Sequence, residues 1–295
     1  MKVVLFGQSG QVGKALLEKQ RCNYEWYAPL RSTPEGDLLN PKAISQYLLA
    51  LKPDAVVNAA AFTDVDAASD HTEEAMVING ITPGVMAEVC SQIGAYFIHL
   101  STDYVFDGSG EKPWRETDPV CPINAYGQTK LQAEKRILSK ADTSVILRLS
   151  WLHAAHHDNF VTRFCKRLQE QSEVLVVDDQ FGSPTAAVDV AEIIAKLLVC
   201  RSWGQELLGL YHFANAGYCS RFECAQQILE KLTLGQVPWA INKKLFRAKT
   251  VDFPTLAPRP LNCRLDTEKL RQTLKIAPRP WQEALGATLS QYVSN

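Results

Sequence analysis

The chain has 295 residues, with 31 Lys+Arg against 32 Asp+Glu, 46% apolar and 21% charged residues. That length suits two modest domains or one large α/β unit with a sizeable core, and the composition is not that of a disordered chain. A formal net charge of -1 argues against bulk electrostatic binding to nucleic acid or anionic membrane, and no apolar run approaches the ~18–20 residues of a membrane helix.

The elements are expected in alternation. Lys2–Phe6 reads as a strand that leads straight into glycines, without the apolar stretch of a secretion signal. A helix over 10–20, a weaker strand at 24–28 and a helix at 41–51 opening on Pro41 follow. Next come strand 54–58, a long helix at 73–93, strand 96–101, helix 124–139 and strand 144–149. Such βαβα order predicts an α/β fold of the Rossmann type, a doubly wound and mainly parallel sheet. The second half predicts helix 159–171, strand 174–177, a Gly/Pro loop at 178–185, helix 188–200 and strand 210–213. A helix at 221–232, a Pro-rich section at 251–262 and a helix at 281–292 close the chain. Residues 1–150, rejoined by 174–213, are expected to form a dinucleotide-binding domain, and 151–173 with 214–295 a smaller substrate lobe. The eight cysteines (Cys22, Cys90, Cys121, Cys165, Cys200, Cys219, Cys224, Cys263) form no Cys-x-x-Cys pair. They read as reduced, mostly buried thiols of a cytoplasmic protein.

Gly7-Gln8-Ser9-Gly10-Gln11-Val12-Gly13 lies between the first strand and first helix. Glycines there permit a tight turn and close approach of a pyrophosphate, and the helix N-terminus offers free N–H groups and a positive dipole end. A purely structural turn is the competing reading. A ribose-binding acid is expected about 20 residues on. The stretch Trp26–Ser32 instead carries Arg31, which favours a 2′-phosphate and hence NADPH, with NADH possible; a solvated Arg is the alternative. Asp37 and Leu38 are further candidates for the adenosine end.

Tyr126-Gly127-Gln128-Thr129-Lys130 puts Tyr and Lys on one face of a helix. An adjacent ammonium is expected to lower the phenol from its ordinary value of about 10, so that it exchanges protons near neutrality. The pair alone is weak, since chance supplies such spacings. Ser101-Thr102-Asp103 ends a strand on the side where open α/β sheets bind ligands, and its hydroxyl can polarise a carbonyl. A Ser/Thr/Asp turn is the alternative reading. Glycine loop, strand-end hydroxyl and Tyr–Lys helix in this order point together to hydride transfer between a carbonyl and an alcohol.

These residues resemble the extended short-chain dehydrogenase/reductase superfamily and, within it, the dTDP-4-dehydrorhamnose reductase family. The resemblance spans almost the whole chain. It rests on Leu5-Phe6-Gly7-Gln8-Ser9-Gly10-Gln11-Val12-Gly13, on Pro53-Asp54-Ala55-Val56-Val57-Asn58-Ala59-Ala60-Ala61 and on Ser101-Thr102-Asp103-Tyr104-Val105-Phe106. Tyr126-Gly127-Gln128-Thr129-Lys130-Leu131, Asp179-Gln180-Phe181-Gly182-Ser183-Pro184-Thr185 and Ala257-Pro258-Arg259-Pro260 extend it. It implies reduction of the 4-keto group of dTDP-4-dehydro-β-L-rhamnose, with Tyr126 as proton donor, Lys130 tuning it and holding the nicotinamide ribose, and Thr102 polarising the carbonyl. By the same resemblance Gly7, Ser9, Gly10, Gln11 and Val12 line the pyrophosphate, and Asp37, Leu38, Ala59, Ala60 and Ala61 lie along the dinucleotide. Thr63, Val65, Thr102, Asp103 and Trp151 would contact the deoxysugar, and Gln180, Phe181 and Arg259 the nucleotide part of the substrate. A non-catalytic dinucleotide-binding subunit and another nucleotide-sugar epimerase or reductase are the alternatives.

Some family members use a first-helix glutamate in a magnesium-bridged dimer; Ala15 stands at that place here, so no metal is expected and monomer or homodimer stays open. Thr102-Asp103-Tyr104 lacks the second carboxylate of the related dehydratases. His153 and His157 stand four apart, but without Glu or Cys partners they read as a solvated loop. Lys243, Lys244, Arg247 and Lys249 read as a solvated face or the rim of an anionic pocket, and Trp114 and Trp281 as packing residues.

Overall fold

Val3, Val4, Leu5 and Phe6 are all buried, which requires a first strand covered on both faces. The computed structural model describes residues 1–20, 24–139 and 141–294. Its first half runs β1 (Lys2–Phe6), α1 (Gln11–Gln20), β2 (Glu25–Tyr27), α2 (Pro41–Leu51), β3 (Ala55–Asn58), α3 (Ala67–Asp70) and α4 (Thr72–Met76). A π-helical turn (Val77–Ile81), α5 (Thr82–Ile93), β4 (Tyr96–Thr102), α6 (Ala125–Leu138) and β5 (Ser144–Leu149) complete it. The second half runs β6 (Leu152–His153), α7 (Phe160–Glu170), β7 (Glu173–Val177), β8 (Phe181–Gly182), β9 (Thr185–Ala186), α8 (Ala187–Ser202) and β10 (Gly209–Phe213). It ends with β11 (Cys219–Ser220), α9 (Arg221–Leu234), β12 (Lys244–Ala248), β13 (Asn262–Cys263), α10 (Glu268–Leu274) and α11 (Trp281–Ser294).

Six strands pair in the order β10-β5-β4-β3-β1-β2, every pair parallel. The chain leaves β1 toward β2 on one side and toward β3 on the other, so the order reverses beside β1. This is the doubly wound α/β architecture, in which a crevice opens at the carboxyl ends of the strands. Side chains alternate between the two faces. Val3, Leu5, Val57, Ile98 and Leu147 join α1 and α8 in one core. Val4, Phe6, Val56, Phe97 and Ile146 join α2, α5 and α6 in the other.

A third core lies outside the sheet, built by α7, α9 and α11 around Phe164, Leu168, Ile228 and Trp281. Strand β7 belongs to it. Val174 and Val176 face this core, and the strand pairs with β12 instead of the central sheet. The chain therefore rejoins the flank of the sheet at α8, not at residue 174. Trp114 stacks on Phe106 with ring centroids 4.6 Å apart.

The long helix expected over 73–93 is broken into α4, the π-helical turn and α5. Pro83 has no N–H for the Asn79 carbonyl, which accounts for the loosened register just before it. Two further elements carry no strong sequence signal: α3 has four residues, and β12 is a charged edge strand with three exposed positions. Arg247 and Lys249 at its end pair with Asp178 at 3.3 and 2.9 Å, away from the cleft described below. Seven cysteines are free thiols, and Cys22 lies outside the described residues. No helix among the described residues is long and apolar enough to cross a membrane.

One charge pair is sealed between α6 and the sheet. Arg148 on β5 donates to both carboxylate oxygens of Glu134 on α6, at 2.9 and 2.6 Å. Ser101 donates to the same carboxylate at 2.5 Å, and the two charged side chains are 3% and 2% exposed. Arg148→Met strands Glu134 in the interior and is expected to cost about 3–5 kcal/mol. Urea denaturation checks this, and the double replacement Glu134→Leu/Arg148→Met should recover a large part of the loss.

Candidate active site

The turn after β1 is held by the Gly10 N–H donating to the Gly7 carbonyl oxygen at 3.0 Å. Gly7 has φ of 86°, and a Cβ there would stand 2.7 Å from the backbone of Ala59 and Ala60. Only glycine lets the turn close against the end of β3. The N–H groups of the first turn of α1 have no i−4 carbonyl within the helix and face the crevice.

That crevice is a cleft of about 720 Å³ running over the carboxyl ends of β1, β3, β4 and β5. Gly7, Ser9, Gly10, Gln11 and Val12 line one end of it with Arg31, Asp37 and Leu38, and Ala59, Ala60 and Ala61 line its wall. Thr63, Val65, Thr102, Asp103, Tyr126, Lys130 and Trp151 line the other part. Nearly all the candidate residues thus share one cavity. Three do not. Arg259 is clamped by Asp66, with contacts of 3.1 and 2.6 Å, and that guanidinium is also what holds the Asp66 carboxyl below the usual carboxylate range. Gln180 donates to Thr250 at 3.2 Å, and Phe181 lies under the Arg264 guanidinium at 4.2 Å.

Tyr126 and Lys130 rise from the first turns of α6, whose N-cap Asn124 accepts from the Gly127 N–H at 2.9 Å. Burial pushes the Tyr126 phenol up to about 12; a hydrogen bond with Thr102 opposes that, and the Asp103 carboxylate reinforces it. The lowering expected from Lys130 is absent, because the lysine head turns to the sheet, donating to the Leu100 carbonyl oxygen at 2.6 Å. Tyr126 is therefore a protonated acid through the neutral range. Lys130 itself is drawn down to about 8 by burial, against the charge of Glu134 one turn away. Thr102 donates to Asp103 at 2.9 Å. Burial holds the Asp103 carboxyl above the usual carboxylate range, against hydrogen bonds from Ser150 and Thr102.

Trp151 adopts φ of 43°, the left-handed region, and its indole lies on Gly182, where a Cβ would meet it at 2.3 Å. The Arg221 guanidinium lies over the same ring, 3.5 Å from its centroid, and the Phe160 ring centroid lies 4.7 Å from the same cation. Sequence reasoning missed Arg221, which lines the cleft. Its one signal was a lone Arg at the start of a capped helix. His153 is buried, with Nδ1 3.1 Å from Thr288 Oγ1, and His157 contacts the Ser9 carbonyl at 2.5 Å, so this segment is not the solvated loop expected. Among the described residues no group of three His, Cys, Asp or Glu side chains is placed to hold a metal ion. Ala15 is buried in the core shared by α1 and α8.

Residues 1–294 match the family described as the RmlD substrate binding domain. The chain is 36% identical over 300 residues to the dTDP-4-dehydrorhamnose reductase of Escherichia coli K12, covering 99% of this chain and 98% of that protein. A solved dTDP-4-dehydrorhamnose reductase of Clostridium acetobutylicum superposes with a TM-score of 0.89 at 31% identity over 99% of both chains. The dTDP-4-dehydrorhamnose reductase of Bacillus anthracis, solved in complex with NADP, gives 0.89 at 30% identity over 98% of this chain and 99% of that one.

Gly182→Ala should push the Trp151 indole off its bed and out of the Arg221 stack. The expected readout is a red-shifted tryptophan emission against a Trp151→Phe reference. An unchanged spectrum in the folded variant would show that the ring does not depend on this contact.

Proposed function

The chain belongs to the RmlD substrate binding domain family, and we propose that it reduces the 4-keto group of dTDP-4-dehydro-β-L-rhamnose to the alcohol of dTDP-L-rhamnose. The observation that carries this reading is the convergence of Thr102, Tyr126 and Lys130 in the cleft that the Gly7 turn opens. NADPH is the proposed cofactor, and when bound it supplies the hydride. The residues present suit such a group: free N–H donors at the start of α1 for phosphate, Arg31 for a 2′-phosphate, and Lys130 beside the catalytic phenol.

In this reading the Tyr126 phenol gives its proton to the carbonyl oxygen as the carbon accepts hydride. Its raised value keeps that proton in place through neutral pH, so the acid holds its proton, neutral and ready, before substrate arrives. In the free protein Thr102 donates to Asp103, which holds its hydroxyl beside Tyr126, and with substrate bound the hydroxyl would turn its proton to the oxygen that gains negative charge. The Trp151 ring forms a flat wall for the deoxysugar. We assign the substrate diphosphate to Arg221, because Arg259 is already committed to Asp66. A stacked guanidinium keeps its N–H edge free for bidentate contact. Residues 1–150 with 187–213 would then hold the cofactor, and 151–186 with 214–294 the sugar nucleotide.

The purified protein should oxidise NADPH when given dTDP-4-dehydro-β-L-rhamnose, and no turnover with that ketosugar would sink the reading. Tyr126→Phe should lower kcat by about 10²–10⁴ while cofactor affinity holds. Arg221→Met should raise KM for the sugar nucleotide by about tenfold or more, the worth of one charged hydrogen bond. Arg31→Ala should weaken NADPH and leave NADH unchanged; equal effects on both would remove Arg31 from the 2′-phosphate.

A further inference from the structure

Lys130 sits at the floor of the cleft, and an ammonium head there needs acceptors for three N–H bonds. The Leu100 carbonyl oxygen takes one. Its next neighbour is His99 Nε2 at 3.3 Å, and what that nitrogen can do is decided two contacts away. The backbone N–H of Ala60 can only donate, and it donates to Asn58 Oδ1 at 3.2 Å. The Asn58 amide is thereby turned with its NH2 toward His99 Nδ1, 3.2 Å away. Nδ1 accepts that bond, so the neutral ring carries its proton on Nε2. The ring is neutral because it is fully buried, which draws His99 well below the ordinary histidine value. An Nε2–H aimed at Lys130 opposes an ammonium and fits the lone pair of an amine.

We propose that His99 is a positioning residue that disfavours the ammonium form of Lys130 in the free protein, presenting its Nε2–H to the lysine nitrogen while the lysine gives one N–H to Leu100. The inference rests on the proposed role of Lys130 and deepens it by naming what sets the charge of that group. Hydrogen bonding to a neutral form disfavours the charged one, the same direction as burial. The remaining groups around the lysine do not undo this. Glu134 on α6 is bound by Arg148 of β5 and Ser101 of β4, Tyr126 on α6 is protonated, and Asp103 follows β4 in contact with Thr102. The π-helical turn presents only the neutral Asn79, bonded to Phe62 and Thr129. The chain of contacts ends on an amide, which relays no proton near neutral pH. His99 is thus a lock and not a conduit.

Nitrogen-15 spectra of the histidine-labelled protein, with His99 assigned through His99→Gln, should show its Nε2–H form. The Nδ1–H form would overturn the proposal. Asn58→Asp offers a carboxylate to both Ala60 N–H and His99 Nδ1, which should reverse the tautomer; His99→Gln lets an amide oxygen face the lysine. Both changes favour the ammonium, so the pH at which NADPH binding weakens should rise by about one pH unit, read by fluorescence without any sugar. A lower melting temperature with that midpoint unmoved in both folded variants would mean packing alone, and would also overturn it. A wild-type protein that binds no NADPH at any pH fails the reductase reading instead, since the tautomer is read in the free protein.

Discussion

Helix α6 carries Tyr126 and Lys130 on successive turns, and one turn later Glu134 meets Arg148 across the face of the sheet. A buried ion pair of this kind adds little net stability over a well-packed apolar pair, but it allows only one arrangement. Any sliding of α6 along the sheet would leave two charges without partners in the interior. The bond therefore acts as a register pin for the helix that bears Tyr126 and Lys130. The pin continues outward, since His212 on β10 stands 3.4 Å from Arg148 and its Nδ1 lies 3.1 Å from the backbone oxygens of Trp114 and Asp266. One network thus ties the site helix to β4, β5, β10 and the segments that cross them.

The near-zero net charge is consistent with a protein built for anionic ligands, because the structure sorts its cations. Arg259 is spent on Asp66, Arg247 and Lys249 on Asp178, and Arg264 on the Glu111 carbonyl oxygen and Asn262 Oδ1. Arg221 is treated differently. It lies over the rings of Trp151 and Phe160, which attract the cation without accepting from its N–H groups in the plane of the guanidinium.

Most of the sheet was legible in the sequence because strands buried on both faces, such as Ala55–Asn58 and Ser144–Leu149, read as short continuous apolar runs between polar loops. The glycine turn and the Tyr–Lys spacing were legible for a similar reason, since both act through neighbours close in sequence. What escaped depends on long-range contacts. Nothing local says that Arg259 meets Asp66, that Arg221 stacks on a tryptophan 70 positions earlier, or that Glu173–Val177 pairs with Lys244–Ala248. The fate of the phenol is the plainest case. Helical spacing places Lys130 near Tyr126, but only the fold shows the lysine turned to Leu100 and the phenol ruled by burial.

The π-helical turn at Val77–Ile81 holds Asn79, which is 1% exposed, accepts from the Phe62 N–H at 2.8 Å and donates to the Phe62 carbonyl at 3.0 Å and to Thr129 at 3.1 Å. A π turn contains one residue more than the α-helix needs to advance the same way. Excising that residue would restore the continuous helix that the apolar pattern suggests, and would rotate Asn79 by about 100° away from one flank. The amide could then no longer clip the Phe62 strand-end loop to α6. Cleft wall and α6 are thus spaced by an insertion, and the width of the cleft is written into the local length of the chain as much as into the identity of its side chains.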